Sequence, residues 1–81
     1  MPPDDAAIAA ALLSLARARG PGRSFCPSEA ARALGPDWRA LMPAVRRVAA
    51  QLQAEGALHA TQRGAPVRPE VARGPIRLAL R

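Results

Sequence analysis

Glycine and proline punctuate the first 56 residues of this chain so closely that only short helical segments fit between them. Gly20-Pro21-Gly22 closes one apolar-periodic stretch, Gly35-Pro36 a second, and Gly56 a third. Proline lacks the amide that a helix interior needs, and glycine readily takes the left-handed conformation that ends a helix. Three separate helices joined by short turns are therefore expected here.

Each segment carries its own start signal. Asp4 or Asp5 can cap the first and place negative charge at the positive end of its dipole. Ile8, Leu12, Leu15 and Ala16 then recur at helical spacing, and Arg17 and Arg19 close the last turn. After the GPGR turn, Ser24-Phe25 is expected to be extended. The second helix begins at Pro27, a position where the missing N–H is harmless. Ala30, Ala31 and Leu34 give it one short apolar stripe over two turns. The third region runs from Trp38 to Gly56, with Leu41, Val45, Val48 and Leu52 on one face. Pro43 interrupts that region, which predicts a short turn through Leu41 and a main helix starting at Pro43.

Beyond Gly56 the period changes to two. Ala57–Gln62 alternates weakly, and Ile76, Leu78 and Leu80 alternate cleanly with Arg77, Ala79 and Arg81. Between them lies the loop RGAPVRPEVARGP. The two strands are expected to pair as an antiparallel hairpin with this loop as its long tip. The fold class is then mainly α with a small β-hairpin: a winged helix-turn-helix of three helices plus a two-stranded antiparallel wing. Residues 1–81 form a single domain.

At 81 residues the chain can build one thin core and has little left for a deep substrate pocket. Its charge is one-sided: twelve arginines, no lysine and six acids, for a net +6. Arginine's planar fork suits phosphate and base edges, so a compact Arg-rich domain points to a polyanion partner. The plainer reading is that Arg without Lys, beside abundant Ala, Gly and Pro, reflects GC-rich coding. A single cysteine excludes an internal disulfide, and no apolar run approaches the ~18 residues of a membrane span. Met1–Asp5 holds two acids and no base, unlike the start of a secretory signal, so a cytoplasmic location and no membrane association are expected.

Four segments, CPSEAARALG, WRALMPAVRR, EGALHATQRG and RGPIRLAL, resemble a small bacterial family, domain of unknown function 3253. The resemblance runs from about the first helix to the last strand. Its most specific parts are the Cys-Pro-Ser-Glu start, the Trp-Arg-x-Leu-Met-Pro segment and the closing Arg-Gly-Pro-Ile-Arg. It implies a winged-helix-like fold and no activity, ligand or catalytic residue.

The residues themselves favour binding over catalysis. In a winged helix the third helix lies in the major groove and the wing touches phosphate or the minor groove. The face opposite the apolar stripe is expected to present Arg46, Arg47, Ala50, Gln53 and Ala54, with Gln51 on the flank. Arg46 and Arg47 can fork onto guanine and Gln51 onto adenine, while Arg63, Arg68 and Arg73 suit phosphate anchoring. DNA is thus the expected partner. The alternative is a winged-helix protein–protein interaction module with no nucleic-acid role, meeting an acidic protein through the same arginines. The bland counterpart is that any helix of a soluble domain is polar outside.

No enzyme and no cofactor are expected. Cys26 and His59 are too few to ligate zinc, the acids are scattered, and no glycine-rich phosphate loop is present. His59 reads as a surface residue, and Trp38 as core packing rather than a base-stacking platform. Cys26 reads as the cap of the second helix, with Glu29 in the capping-box position; an exposed thiol there would be a candidate redox switch.

Overall fold

The computed structural model describes residues 1–81. Three helices come first: α1 (Asp5–Arg19), α2 (Pro27–Leu34) and α3 (Trp38–Ala54). Three strands follow: β1 (Leu58–Gln62), β2 (Ala65–Pro66) and β3 (Arg77–Leu80), in the antiparallel order β2-β1-β3. Phe25, between α1 and α2, adds a bridge to Leu78 on the free side of β3. Its N–H and C=O exchange hydrogen bonds of 2.8 Å with Leu78. This element order and strand order are compatible with a winged-helix arrangement.

The local signals act where expected. Asp4 caps α1, its Oδ1 accepting from the Ala7 N–H at 2.8 Å. Ile8, Leu12 and Ala16 bury that helix's inner face. Ala30 and Ala31 of α2 are fully buried, and such small residues let α2 approach both neighbours closely. Val45, Val48, Ala49 and Leu52 complete the helical core, which Phe25, Leu58, Ala60, Ile76 and Leu78 close from the sheet side. Trp38 is half-buried and packs against this core, as the sequence suggests. No buried polar side chain lacks a partner.

Two expectations need correction. First, α3 is one continuous helix from Trp38, with Pro43 inside it. Pro43 sits in the second turn on the exposed side, so its missing amide forfeits only the bond to the Arg39 carbonyl near the helix start. Packing of Trp38, Leu41 and Met42 against the core holds the first turn in register despite that loss. Second, the connection between the long strands is not an open tip. The expected pairing is present, with Leu58 opposite Leu80 and Thr61 opposite Arg77. A third, two-residue strand then turns back beside β1, with Gln62 opposite Ala65 and Thr61 opposite Pro66.

That turn has only Arg63 and Gly64 at its centre, at φ 53° and 83°. Two positive φ values are the requirement of the type I′ hairpin turn, whose handedness matches the strand twist. Glycine takes such a φ freely. Arg63 is the single non-glycine residue that does so here. A left-handed side-chain-bearing residue costs roughly 1–2 kcal/mol.

Candidate nucleic-acid interface

The wing, Arg63 to Pro75, folds back over the outer side of α3, and polar side chains hold it there. Arg46, half-buried, donates from Nη1 to the Ala72 carbonyl at 2.7 Å and to that of Pro69 at 3.5 Å. Its Nη2 donates to the Gly74 carbonyl at 2.7 Å. Gln53, two turns further along α3, donates to the Val67 carbonyl at 3.1 Å. Gln62 of β1 donates to the carbonyls of Arg73 (2.5 Å) and Pro75 (3.1 Å). The guanidinium of Arg46 thus collects loop carbonyls that a proline-rich segment cannot satisfy through regular pairing.

Arg47 is exposed and forms a bidentate pair with Asp5 at the start of α1, at 2.6 and 2.9 Å. The Arg47 bond and charge hold the Asp5 carboxyl below the usual aspartate range, and Asp5 in turn raises the Arg47 guanidinium. Gln51 is exposed and Ala50 half-exposed on the same side. Pro43, Arg46, Arg47, Ala50, Gln51, Ala54 and the wing's Glu70 line a shallow groove along this face. Arg68 is exposed and pairs with Glu70 at 3.1 Å. Arg63 and Arg73 are exposed, and neither takes part in an ion pair.

A second polar cluster ties the helices to the sheet. The Glu29 carboxylate accepts from the Cys26 N–H at 2.9 Å and is paired with Arg19 from the end of α1. The Cys26 amide first, and Arg19 after it, hold the Glu29 carboxyl below its usual range. Arg77 of β3 donates to the Ser24 hydroxyl at 3.0 Å and to the Ser24 carbonyl at 2.9 Å. Cys26, half-buried, occupies the N-cap position of α2, where the Glu29 amide donates to its carbonyl at 2.9 Å and the Ser28 hydroxyl to its sulfur at 3.1 Å. His59 is exposed on β1. No group of three or more metal-ligating side chains is present, and no helix is long and apolar enough to cross a membrane.

The family described as Protein of unknown function (DUF3253) matches residues 5–81. The chain belongs to this family. The match takes in every element of the fold, from the first residue of α1 to the residue after β3, and so covers all the candidate residues of this DUF3253 domain. No curated protein matches the chain.

Of the six residues singled out from sequence, the fold gathers Arg46, Arg47 and Gln51 along one groove and sets Arg68 beside it. Arg63 and Arg73 belong to the wing. Sequence reasoning missed the wing-anchoring roles of Arg46, Gln53 and Gln62, all of which depend on the wing folding back. It also missed Arg32 and Arg39, whose guanidinium carbons lie over the Trp38 ring at 4.5 and 4.4 Å from its centre. Their signal was the placement of Arg32 and Arg39 on either side of the Gly35-Pro36 turn, next to the single tryptophan.

Proposed function

We propose that this domain binds duplex DNA, with the wing arginines on phosphate and α3 along the major groove. The observation that supports this most is Arg63. A cation occupies the exposed apex of a two-residue hairpin whose backbone there favours asparagine or glycine. Backbone strain kept at an exposed position points to a role for the side chain that occupies it. Arg73, the other unpaired cation of the wing, adds to the same positive edge.

The test replaces both cations without disturbing the turn. Asn is favoured at the first centre of a type I′ turn, so Arg63→Asn combined with Arg73→Gln removes charge while easing strain. Binding of a labelled random duplex is followed by fluorescence anisotropy between about 50 and 200 mM salt. The wild type is expected to bind with affinity that falls steeply with salt. In the variant the slope of log affinity against log salt should drop by about 0.9 for each phosphate the wing no longer neutralises. Equal slopes for wild type and variant would remove the wing from the interface. A wild type that binds nothing at the lowest salt would end the nucleic-acid reading.

One observation favours a second reading, docking onto a protein surface with no nucleic-acid role. Arg46 and Arg47 are already engaged within the domain, and Glu70 lines the same groove. A carboxylate that lines a DNA-facing groove repels phosphate. This reading gains if the wild type ignores DNA at low salt.

A further inference from the structure

Arginine side-chain hydrogen bonds in this molecule come from Arg19, Arg46, Arg47, Arg68 and Arg77. Arg32, in the last turn of α2, and Arg39, the second residue of α3, are not among them. Both are exposed, and neither joins an ion pair. Both are nevertheless held in place, because their guanidinium carbons lie over the Trp38 ring at 4.5 and 4.4 Å from its centre. We propose that Arg32, Trp38 and Arg39 form a phosphate grip on the helix-turn-helix turn, and that its ligand is a phosphodiester of the duplex backbone. The proposal rests on the DNA-binding reading above and adds an anchor that the wing and the middle of α3 do not supply.

The electrostatics of the cluster carry it first. A cation over an aromatic face is attracted by the ring's quadrupole, and this attraction uses none of the guanidinium's N–H donors. The two forks are therefore ordered yet unsatisfied, so little rotamer freedom remains to be lost when an anion arrives. Each charge is also within about 4.5 Å of one point, so the two lie no more than twice that distance apart. That mutual repulsion is relieved by an anion that binds beside the cluster.

Location carries it further. Asp37 at the N-cap of α3 brings one carboxylate to the groove that Arg39 lines, which offsets one of the cluster's two positive charges and leaves the other. In a helix-turn-helix the first helix of the motif crosses the DNA backbone while the second enters the groove, which brings a phosphate to their junction. Arg39 also lines the open groove between Met1–Pro3 and the α2–α3 turn, so its fork is reachable from solvent.

Trp38 is the only tryptophan in the chain, so its emission reports on the surroundings of that one side chain. The experiment titrates the wild type with an unlabelled duplex while Trp38 fluorescence is recorded. In parallel, anisotropy of a labelled duplex is measured for the wild type, for Arg32→Gln with Arg39→Gln, and for Arg17→Gln with Arg23→Gln. The last pair removes the same charge from exposed arginines that have no ion-pair partner.

DNA is expected to shift the Trp38 emission of the wild type in proportion to occupancy. The salt slope should fall by about 0.9 per phosphate released in the Arg32/Arg39 variant and by less than half as much in the control. Binding that leaves Trp38 emission unmoved overturns the grip while the wing reading stands, and this arm needs no variant to fold. Equal slope losses in the two variants overturn it as well, reducing the effect to net charge. If the wild type binds no duplex at low salt, the underlying reading fails and the grip falls with it.

Discussion

The arginines of this domain divide into two populations. Along the middle of α3, Arg46 and Arg47 face the groove where a recognition helix would meet DNA, yet both are engaged by the protein itself. At the two ends of that surface, on the wing apex and on the α2–α3 turn, Arg63, Arg73, Arg32 and Arg39 have no ion-pair partner. Net charge does not distinguish the two groups. What separates them is whether a carbonyl or carboxylate has already taken their donors. The middle arginines hold the shape of the surface, and the end arginines remain available to a polyanion.

The comparison is broken most directly at Arg46. Its fork spans carbonyls of Pro69, Ala72 and Gly74, and bonds to a charged donor are the stronger kind. Arg46→Ala should cost about 2 kcal/mol in urea unfolding, since those carbonyls lose their partner. Lysine carries the charge without the planar fork, so Arg46→Lys should recover only part of the loss. Hydrogen exchange provides the local readout. The amides of Val71 and Ala72, which bond to the Arg68 carbonyl inside the loop, should lose protection while those of β1 and β3 keep theirs. An Arg46→Ala protein with an unchanged wing would return Arg46 to the population free to read bases.

The contrast also separates what the sequence could reveal from what it could not. Caps, breakers and apolar stripes are local, and they placed α1, α2 and the β1–β3 pairing within a residue or two. Pro43 misled because a helix breaker near the start of a helix removes only one bond, and Trp38, Leu41 and Met42 hold the preceding turn by packing. β2 escaped notice because its turn is Arg-Gly rather than Asn-Gly, so the usual dipeptide signal was absent. The engagement of Arg46 and Arg47 involves partners 26 and 42 positions away in the chain. No periodicity within α3 encodes such partners. Exposure of a helix face is legible from a wheel, whereas the freedom of its donors depends on the whole fold.

Arg19 is a third engaged arginine, and it sharpens the contrast because its partner titrates. The Glu29 carboxyl is held below its ordinary value of 4.5, first by the Cys26 amide and then by Arg19. The charged form is the one the fold favours. Its contribution is therefore complete above that ordinary value and is lost as pH falls through the lower folded value. Unfolding free energy measured against pH should decline along this acid limb in the wild type and more weakly in Glu29→Gln, which cannot lose the charge. Glu29→Ala should cost about 1 kcal/mol near neutral pH, in the range of a lost helix cap. Acid limbs of equal steepness in wild type and Glu29→Gln would show that the charge on Glu29, with its bonds to the Cys26 amide and Arg19, contributes nothing.

The smallest effect is expected at Asp5, where the two populations can be made to exchange a member. The pair with Arg47 lies on the surface, where solvent screens it, so Asp5→Asn should barely alter stability. It should, however, release the Arg47 fork onto the groove side of α3. If DNA follows that groove, the freed arginine neutralises one more phosphate, and the salt slope of binding steepens by about 0.9. Two controls distinguish this from a simple gain in net charge. Glu55→Gln makes the same change in charge at the end of α3, at an acid with no ion-pair partner, and should steepen the slope less. In an Arg47→Ala background, Asp5→Asn should have no more effect than Glu55→Gln. If Asp5→Asn acts equally well without Arg47, the salt bridge is not a latch, and the division between engaged and available arginines rests on Arg46 alone.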